Sequence, residues 1–325
     1  MCSCGSDNPG AGTRHLRESF VKGAPADIYF LGLQEGVSDS IFHSLEGLTS
    51  ILASCERVPL SDPHHQHQHA RQTPPSEASK YSNADGSLSS SPSLVSTSPP
   101  DHSRDRDRIS GRGDGSLVGT KFTGSALFCK SSLLQSGAVR LLSCVAHPLE
   151  KFGSKGGVAV AINVRGSTVV FVTCHLEASK RDVRRQQYRE LVVGLGEKLG
   201  IAKLDLQSQF HHIIWTGDLN YRCVERSGEP MASERALAFL QRGNNFELFS
   251  EHDQLTQERQ AQEVFGTQIG WTEPTPHPCF FPTYKKREKR EKTDYSDPEW
   301  ARTVYRTRYK EPIYKGGNVK ERTPG

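Results

Sequence analysis

The 325-residue sequence has no apolar run approaching the about 18 residues that a membrane-spanning helix requires. Its first residues, MCSCGSDNPG, lack the apolar stretch of a secretory signal. These two absences set a soluble, cytoplasmic protein as the expectation. Charge of one sign is also scarce: 41 Lys and Arg against 37 Asp and Glu leave +4, too little for a protein that coats polyanions. The 8 cysteines form no CxxC pair and no dense framework, which excludes a disulfide scaffold and predicts scattered, mostly buried free thiols. Cys2-Ser-Cys4 has neither the apolar nor the basic flank that would support acylation. A GxSxG nucleophile elbow is missing. Hydrophobic residues make up only 34%, so part of the length lies outside any packed core.

That part is easy to locate. From about Val58 to Gly115 the chain is Ser, Pro, His and Gln with almost no aliphatics, too little apolar surface to offset the entropy of ordering it. The expected layout is an N-terminal tail (1–20), one folded domain from 21–57 and 116–325, and a disordered insert at 58–115. Within the insert, His64, His65, His67 and His69 read as a polar low-complexity tract rather than a metal grip. Arg112-Gly113-Asp114 reads as a flexible turn, and the Ser-Pro steps are open to phosphorylation.

Outside the insert, strand and helix patterns alternate. Strands are predicted at 27–33, 124–129, 138–145, 157–164, 168–174 and 211–216, and an amphipathic helix from about Asp39 with Ile41, Phe42, Leu45 and Leu48 on one face. A second helix fits 180–199, opened by a Ser179/Asp182 capping box, with Val183, Leu191, Leu195 and Leu199 on one stripe and Gly200 as its stop. Ser250 and Asp253 predict another box, opening a helix toward Phe265. Hairpin-like connections mixed with helices point to a two-sheet α/β sandwich rather than one wound parallel sheet.

Polar residues gather at the C-terminal ends of three of these strands: Gln34-Glu35-Gly36, Cys174-His175-Leu176 and Gly217-Asp218-Leu219-Asn220. Strand ends are where reactive side chains project from a rigid base. Glu35 follows an apolar run and must meet water, a cation or a metal. If the strand persists, Asp218 and Asn220 point to one side and Leu219 to the core, so a carboxylate and a carboxamide can hold a water and a phosphoryl oxygen. Cys174 and His175 are adjacent, face opposite sides and cannot form a thiol dyad. The fitting chemistry is metal-assisted hydrolysis with hard oxygen ligands, better suited to Mg²⁺ than to zinc. Lys155-Gly156-Gly157 reads as a glycine-rich turn whose amides can approach an anion. The stretch Lys285–Arg322 holds 13 Lys and Arg against 7 Asp and Glu, with five of the nine tyrosines between Tyr284 and Tyr314. That mixture suits a phosphate-rich ligand at a surface, whether lipid headgroup or nucleic acid, while KKREKREK alone reads as a solvated loop.

Together, LGLQEG (31–36), SKGGVAV (154–160), VTCHLEA (172–178), WTGDLNYRC (215–223), DQL…E…VF (253–265), GWTE (270–273) and FFPTYK (280–285) resemble the inositol polyphosphate 5-phosphatases, a branch of the endonuclease/exonuclease/phosphatase superfamily. GDLNYR with a downstream PTYK carries most of the specificity, since the nuclease relatives share GDxN without those extensions. The resemblance implies an α/β sandwich of that type and a Mg²⁺ held with help from Glu35. It implies a scissile phosphate met by His175, and a water positioned or activated by Asp218 with Asn220 beside it. Tyr221, Arg222 and Lys285, assisted by Lys155, would bind ring phosphates. The implied substrates are phosphoinositide lipids or soluble inositol polyphosphates, with peripheral contact to an anionic membrane and no nucleic-acid partner. Three family features are not found: the Asn of a preceding strand, the CDR arginine and the SDH aspartate and histidine. On that ground the catalytic set is expected to be incomplete at both termini and activity impaired. A Mg²⁺ nuclease of the superfamily and an inactive phosphoinositide-binding remnant are the alternatives.

Overall fold

The computed structural model describes residues 26–36, 54–60, 121–149, 155–201, 203–273, 280–287, 293–310 and 317–324. The predicted helix from Asp39, the histidine tract, the Arg-Gly-Asp tripeptide and Cys2, Cys4 and Cys279 lie outside the described residues. Those that are described fall into two compact units. One takes the chain up to Cys174 together with Leu195–Gly217, and the other takes His175–Gly194 together with the chain from Asp218 onward.

The first unit is a sandwich. Strands β1 (Ile28–Gly36), β2 (Cys55–Arg57) and β3 (Phe122–Lys130) form one antiparallel sheet in the order β1-β3-β2. A short helix α1 (Ser131–Gln135) leads into β4 (Val139–Pro148), β5 (Gly156–Val164) and β6 (Ser167–His175). With β7 (His212–Asp218) they form the second sheet, in the order β4-β5-β6-β7.

The period of two sorts β3 cleanly. Leu127 and Cys129 join Val158, Val160 and Ile162 of β5 in one core, with Phe30 of β1 and Phe171 of β6 packed against it. The Phe30 and Phe171 rings stack at 5.0 Å, so the two sheets face each other across this layer. Phe122, Ala126 and Phe128 point to the opposite face, with Tyr29, Leu31 and Leu33. Val58 and Leu60, assigned by composition to the start of the insert, belong to the inter-sheet core, and the Val58 N–H donates to the Leu127 carbonyl at 2.8 Å.

β5 and β6 are joined by Arg165-Gly166, both at positive φ, the conformation that matches hairpin twist. β6 and β7 run in the same direction, since Thr168 lies beside His211 at one end and the Thr216 hydroxyl donates to the Val172 carbonyl toward the other. Gly156 and Gly157 are strand residues paired with Pro148 and His147, which corrects the reading of a glycine-rich turn open to an anion: their backbones are committed to the ladder.

The second unit is mainly helical. Helix α2 (Arg181–Leu199) supplies its first part. A short α3 (Leu206–Gln209) lies in the first unit, and the second continues with α4 (Ser233–Gln241), α5 (Asn245–Glu251), α6 (Gln254–Gln260), α7 (Trp300–Val304) and the hairpin β8 (Arg308–Lys310) and β9 (Val319–Glu321). Its core gathers Cys223, Met231, Leu237, Leu240, Leu248, Trp300 and Tyr305.

Both predicted capping boxes shift by a few residues. The first intrahelical bond of α2 goes to the Lys180 carbonyl, so Lys180 is the N-cap, while the Ser179 N–H is taken by Glu177. Asp253 itself caps α6, accepting from the Thr256 N–H at 2.8 Å, because Ser250 is already inside α5. The described cysteines 55, 129, 144, 174 and 223 are free thiols, and all but Cys55 are buried. No helix among the described residues is long and apolar enough to cross a membrane.

Candidate active site

In the second unit the ends of two strands bring the expected chemistry together. β6 finishes at His175 and β7 at Asp218, and the Leu176 N–H donates to the Asp218 carbonyl at 3.0 Å, so pairing continues one step past the strands. His175 is buried, with Nε2 3.7 Å from Oδ2 of the partly exposed Asp218.

The expected same-side alternation of Asp218 and Asn220 does not occur, because the strand ends at Asp218 and Asn220 turns into the left-handed region at φ 56°. The two side chains still meet through a local turn: the Asn220 N–H donates to Asp218 Oδ1 at 3.0 Å. Asn and Asp make such turns readily because a short side-chain oxygen reaches the backbone two residues away. Leu219 is accordingly half-buried instead of in the core.

Asn220 is a hub. Its Nδ2 donates to the Leu176 carbonyl at 2.8 Å, and its Oδ1 accepts from an Arg222 Nη2 at 2.9 Å. Arg222 Nη2 also donates to the Ala178 carbonyl at 3.1 Å, and its guanidinium lies 5.8 Å from the centre of the Tyr284 ring. Arg322 lies 6.0 Å from the same ring. Tyr284 is followed by Lys285, half-buried, whose carbonyl accepts from the Arg306 N–H at 2.9 Å.

Tyr221 lies under the buried Arg184, whose guanidinium carbon is 5.0 Å from the ring centre. The Tyr221 hydroxyl is shielded from solvent and makes no hydrogen bond among the described residues, and burial pushes its ionisation well above the usual tyrosine range. Direct contact of that hydroxyl with a ring phosphate would therefore require the segment to open.

Glu35 and Lys155 belong to the first unit. Glu35 sits on a β-bulge: Leu33 pairs with Gly124 and Gly36 with Phe122, so β1 carries one extra residue, and Glu35 takes φ 56°. Bulges re-aim side chains in this way. Gln34 Nε2 donates to Thr173 Oγ1 at 2.7 Å, while the exposed Glu35 carboxylate accepts from Lys121 Nζ at 2.6 Å. Glu35 thus offers a hard, solvent-facing oxygen donor, paired here with the Lys121 ammonium. A hard divalent ion that keeps several waters needs few protein ligands of that kind, so the residue fits Mg²⁺. Among the described residues, the group of three donors close enough to share an ion is Glu247, Glu251 and His252, none of them a residue of these strand-end clusters. There Glu251 is paired with Arg226, and His252 Nδ1 lies 2.8 Å from the Val224 carbonyl oxygen.

Sequence reasoning missed Arg184 and Gln254. Gln254 Oε1 accepts both from Arg184 Nη2 at 2.7 Å and from the Arg222 N–H at 3.1 Å. A signal was present: Arg184 falls on the same helical stripe as Tyr188, Leu191 and Leu195, all buried, and an arginine in line with a core stripe needs internal partners.

The sequence model of endonuclease/exonuclease/phosphatase family 2 matches residues 120–310. The chain belongs to this family. The resemblance to inositol polyphosphate 5-phosphatases drawn from the motifs is borne out by its relatives. It is 33% identical over 117 residues to phosphatidylinositol 3,4,5-trisphosphate 5-phosphatase 2 of Mus musculus, covering 35% of this chain and 9% of that protein. It is 34% identical over 117 residues to the human phosphatidylinositol 3,4,5-trisphosphate 5-phosphatase 1, with the same coverage of 35% and 9%. The match thus spans under a tenth of the length of these curated relatives.

Among solved structures, the inositol polyphosphate 5-phosphatase domain of SPsynaptojanin, determined with inositol (1,4)-bisphosphate and a calcium ion, superposes with a TM-score of 0.51 at 20% identity, covering 92% of this chain and 74% of that one. The family member's two-sheet fold is the one expected. A Cimex nitrophorin with bound NO reaches a TM-score of 0.50 at 16% identity, covering 87% of this chain and 76% of that one. One fold thus hosts different functions, and the chemistry must be argued from side chains.

Proposed function

We propose that the protein hydrolyses the 5-phosphate of phosphoinositides or inositol polyphosphates in a Mg²⁺-dependent reaction. The observation that carries this reading is the linked array His175–Asp218–Asn220–Arg222 at adjoining strand ends, beside the Tyr284-Lys285 pair.

Asp218 is the group that prepares the water. Its Oδ1 is fixed by the Asn220 N–H, leaving Oδ2 directed toward His175 and, being partly exposed, reachable by water. The carboxylate orients the water and accepts its proton as the oxygen attacks phosphorus; the bond from phosphorus to the ring 5-oxygen breaks, and the departing oxygen takes a proton from solvent water. His175 Nε2, 3.7 Å from Asp218 Oδ2, holds a phosphoryl oxygen. No side chain forms a covalent intermediate in this scheme. Glu35 would hold the Mg²⁺, which when bound neutralises phosphate charge. Arg222 and Lys285 bind ring phosphates, with Tyr221 seating the segment and Lys155 assisting.

Lys286 and Arg287 are exposed beside Lys285 and supply attraction to an anionic membrane surface, about 1 kcal/mol for each well-placed cation. A lipid substrate is favoured on this ground, and we place its action at the cytoplasmic membrane surface as part of the same proposal. Neutralising Lys286, Arg287, Lys289 and Arg290 together is expected to weaken binding to vesicles containing acidic lipid, and the loss should shrink as salt rises. Unchanged vesicle binding would move the substrate to the soluble compounds.

A substrate panel tests the reaction. Phosphate release from a 5-phosphorylated inositide, dependent on Mg²⁺ and absent with single-stranded or abasic DNA, is the expected result. Cleavage of the DNA instead would make the protein a nuclease. Inositide binding without release would make it a binding remnant.

A further inference from the structure

Arg184 occupies a position that helix chemistry alone does not explain. Arginine is almost never fully buried without partners, yet Arg184 is 1% exposed on the first part of α2. Desolvation lowers its affinity for the proton and Arg222 adds to that, while Tyr221, Glu177 and Glu258 act the other way. Its neighbours on the helix, Arg181 and Arg185, both form ion pairs with the buried Glu258 carboxylate. Arg184 makes a different set of contacts. Nη2 donates to Gln254 Oε1, Nη1 donates to the Glu177 carbonyl at 3.3 Å, and the guanidinium plane carbon lies over the Tyr221 ring.

These contacts converge on one segment. Gln254 Oε1 accepts from Arg184 on one side and from the Arg222 N–H on the other, so the arginine and the Arg222 backbone share one acceptor. The Tyr221 ring is held by the same guanidinium. Arg222 in turn donates to Asn220 Oδ1, and the Asn220 N–H fixes Asp218 Oδ1. A continuous chain of contacts therefore runs from Arg184 to the carboxylate that prepares the water, without Arg184 approaching it. A planar fork with several fixed donors suits this task, and a lysine, a point charge on a flexible stem, cannot reproduce it.

We infer that Arg184 is a positioning residue for the reaction, setting the Tyr221–Arg222 segment through Gln254 and the Tyr221 ring; the inference rests on the phosphatase reading above. Small displacements of a reacting group cost about 10²-fold in rate, so its loss registers in turnover through Asp218 and in KM through Arg222, which binds ring phosphates.

The test compares wild type, Arg184→Lys, Arg184→Met, Gln254→Ala and the Arg184→Lys/Gln254→Ala pair, with Arg189→Gln, on the exposed side of the same helix, as control. Phosphate release from a 5-phosphorylated inositide gives kcat and KM, urea unfolding gives stability, and amide exchange reports the Arg222 N–H directly. The expected result is a kcat about 10- to 100-fold lower in each single variant with a raised KM, faster exchange of the Arg222 amide, and a double variant little worse than either single one. Arg189→Gln should match wild type. If Arg184→Met fails to fold, Arg184→Lys and Gln254→Ala still decide. A lower urea midpoint with kcat per folded molecule unchanged would overturn the inference, as would an unchanged Arg222 exchange rate. If wild type itself releases no phosphate, the phosphatase reading fails separately, and the exchange measurement still shows whether Arg184 holds the segment.

Discussion

The Asn220 N–H donates to Asp218 Oδ1 at 3.0 Å, and this one bond turns the end of a strand into a site. It replaces strand alternation with a left-handed turn at Asn220 and frees the carboxamide to tie Leu176 to Arg222. Asn220→Ala is expected to lose both ties and the left-handed tolerance of asparagine, destabilising the protein by about 1–3 kcal/mol. Urea unfolding checks the stability, and a midpoint equal to wild type would mean that the turn does not depend on the side chain.

Gly217 precedes this turn at φ 127°, and a Cβ there would lie 2.1 Å from the Cys174 carbonyl oxygen and 2.5 Å from its nitrogen. Neither backbone atom can move without breaking the β6–β7 pairing. Gly217→Ala should therefore destabilise the fold by more than ~3 kcal/mol, seen as a large fall in the urea midpoint or loss of soluble protein. A variant as stable as wild type would show that the two strands tolerate separation.

Helix α4 has alanine at its N-cap and no side-chain cap of its own. The cap comes from Glu321 of β9, whose carboxylate accepts from the Ser233 hydroxyl and from the Ser233 N–H at 2.9 Å. Those bonds, side chain first, hold Glu321 below its ordinary value of 4.5. A carboxylate whose folded value is depressed stabilises the fold above its unfolded value, and that stabilisation is lost as pH falls through the folded one. The stability gap between wild type and Glu321→Gln should thus be constant near neutral pH and close as pH drops below about 4.5. Thermal melts of both proteins from neutral to acidic pH measure it, and a gap that persists at the acid end would remove Glu321 from the cap.

Much of this fold is readable in the sequence, for physical reasons that also explain the misses. Strands β3 to β7 announce themselves because buried strands leave apolar runs bounded by turns, as in GVAVAINV and TVVFVTC. Val58 and Leu60 were assigned to the insert because composition averages over a window, whereas burial is decided residue by residue. The strand-end clusters led to Glu35, His175 and Asp218, since polar groups after apolar runs are costly unless used. Their local geometry was not readable. The bulge at Glu35 depends on register with Gly124 and Phe122, far along the chain, and the salt bridge to Lys121 depends on that bulge. Arg184 and Gln254 escaped notice because, on single helices, arginine and glutamine read as solvent-facing; only the neighbouring helix makes them interior. Glu321, 88 residues from the helix it caps, lies beyond any local rule.

The most direct measurement compares wild type with Asp218→Asn for Mg²⁺-dependent phosphate release from a 5-phosphorylated inositide. Asparagine keeps the shape and still accepts the Asn220 N–H through its oxygen, so the fold should hold and the urea midpoint should stay near wild type. Turnover should fall by at least ~10²-fold, the scale of a positioned general base. Equal turnover in the two proteins would contradict the assignment of Asp218 and, with it, the chemistry proposed for this site.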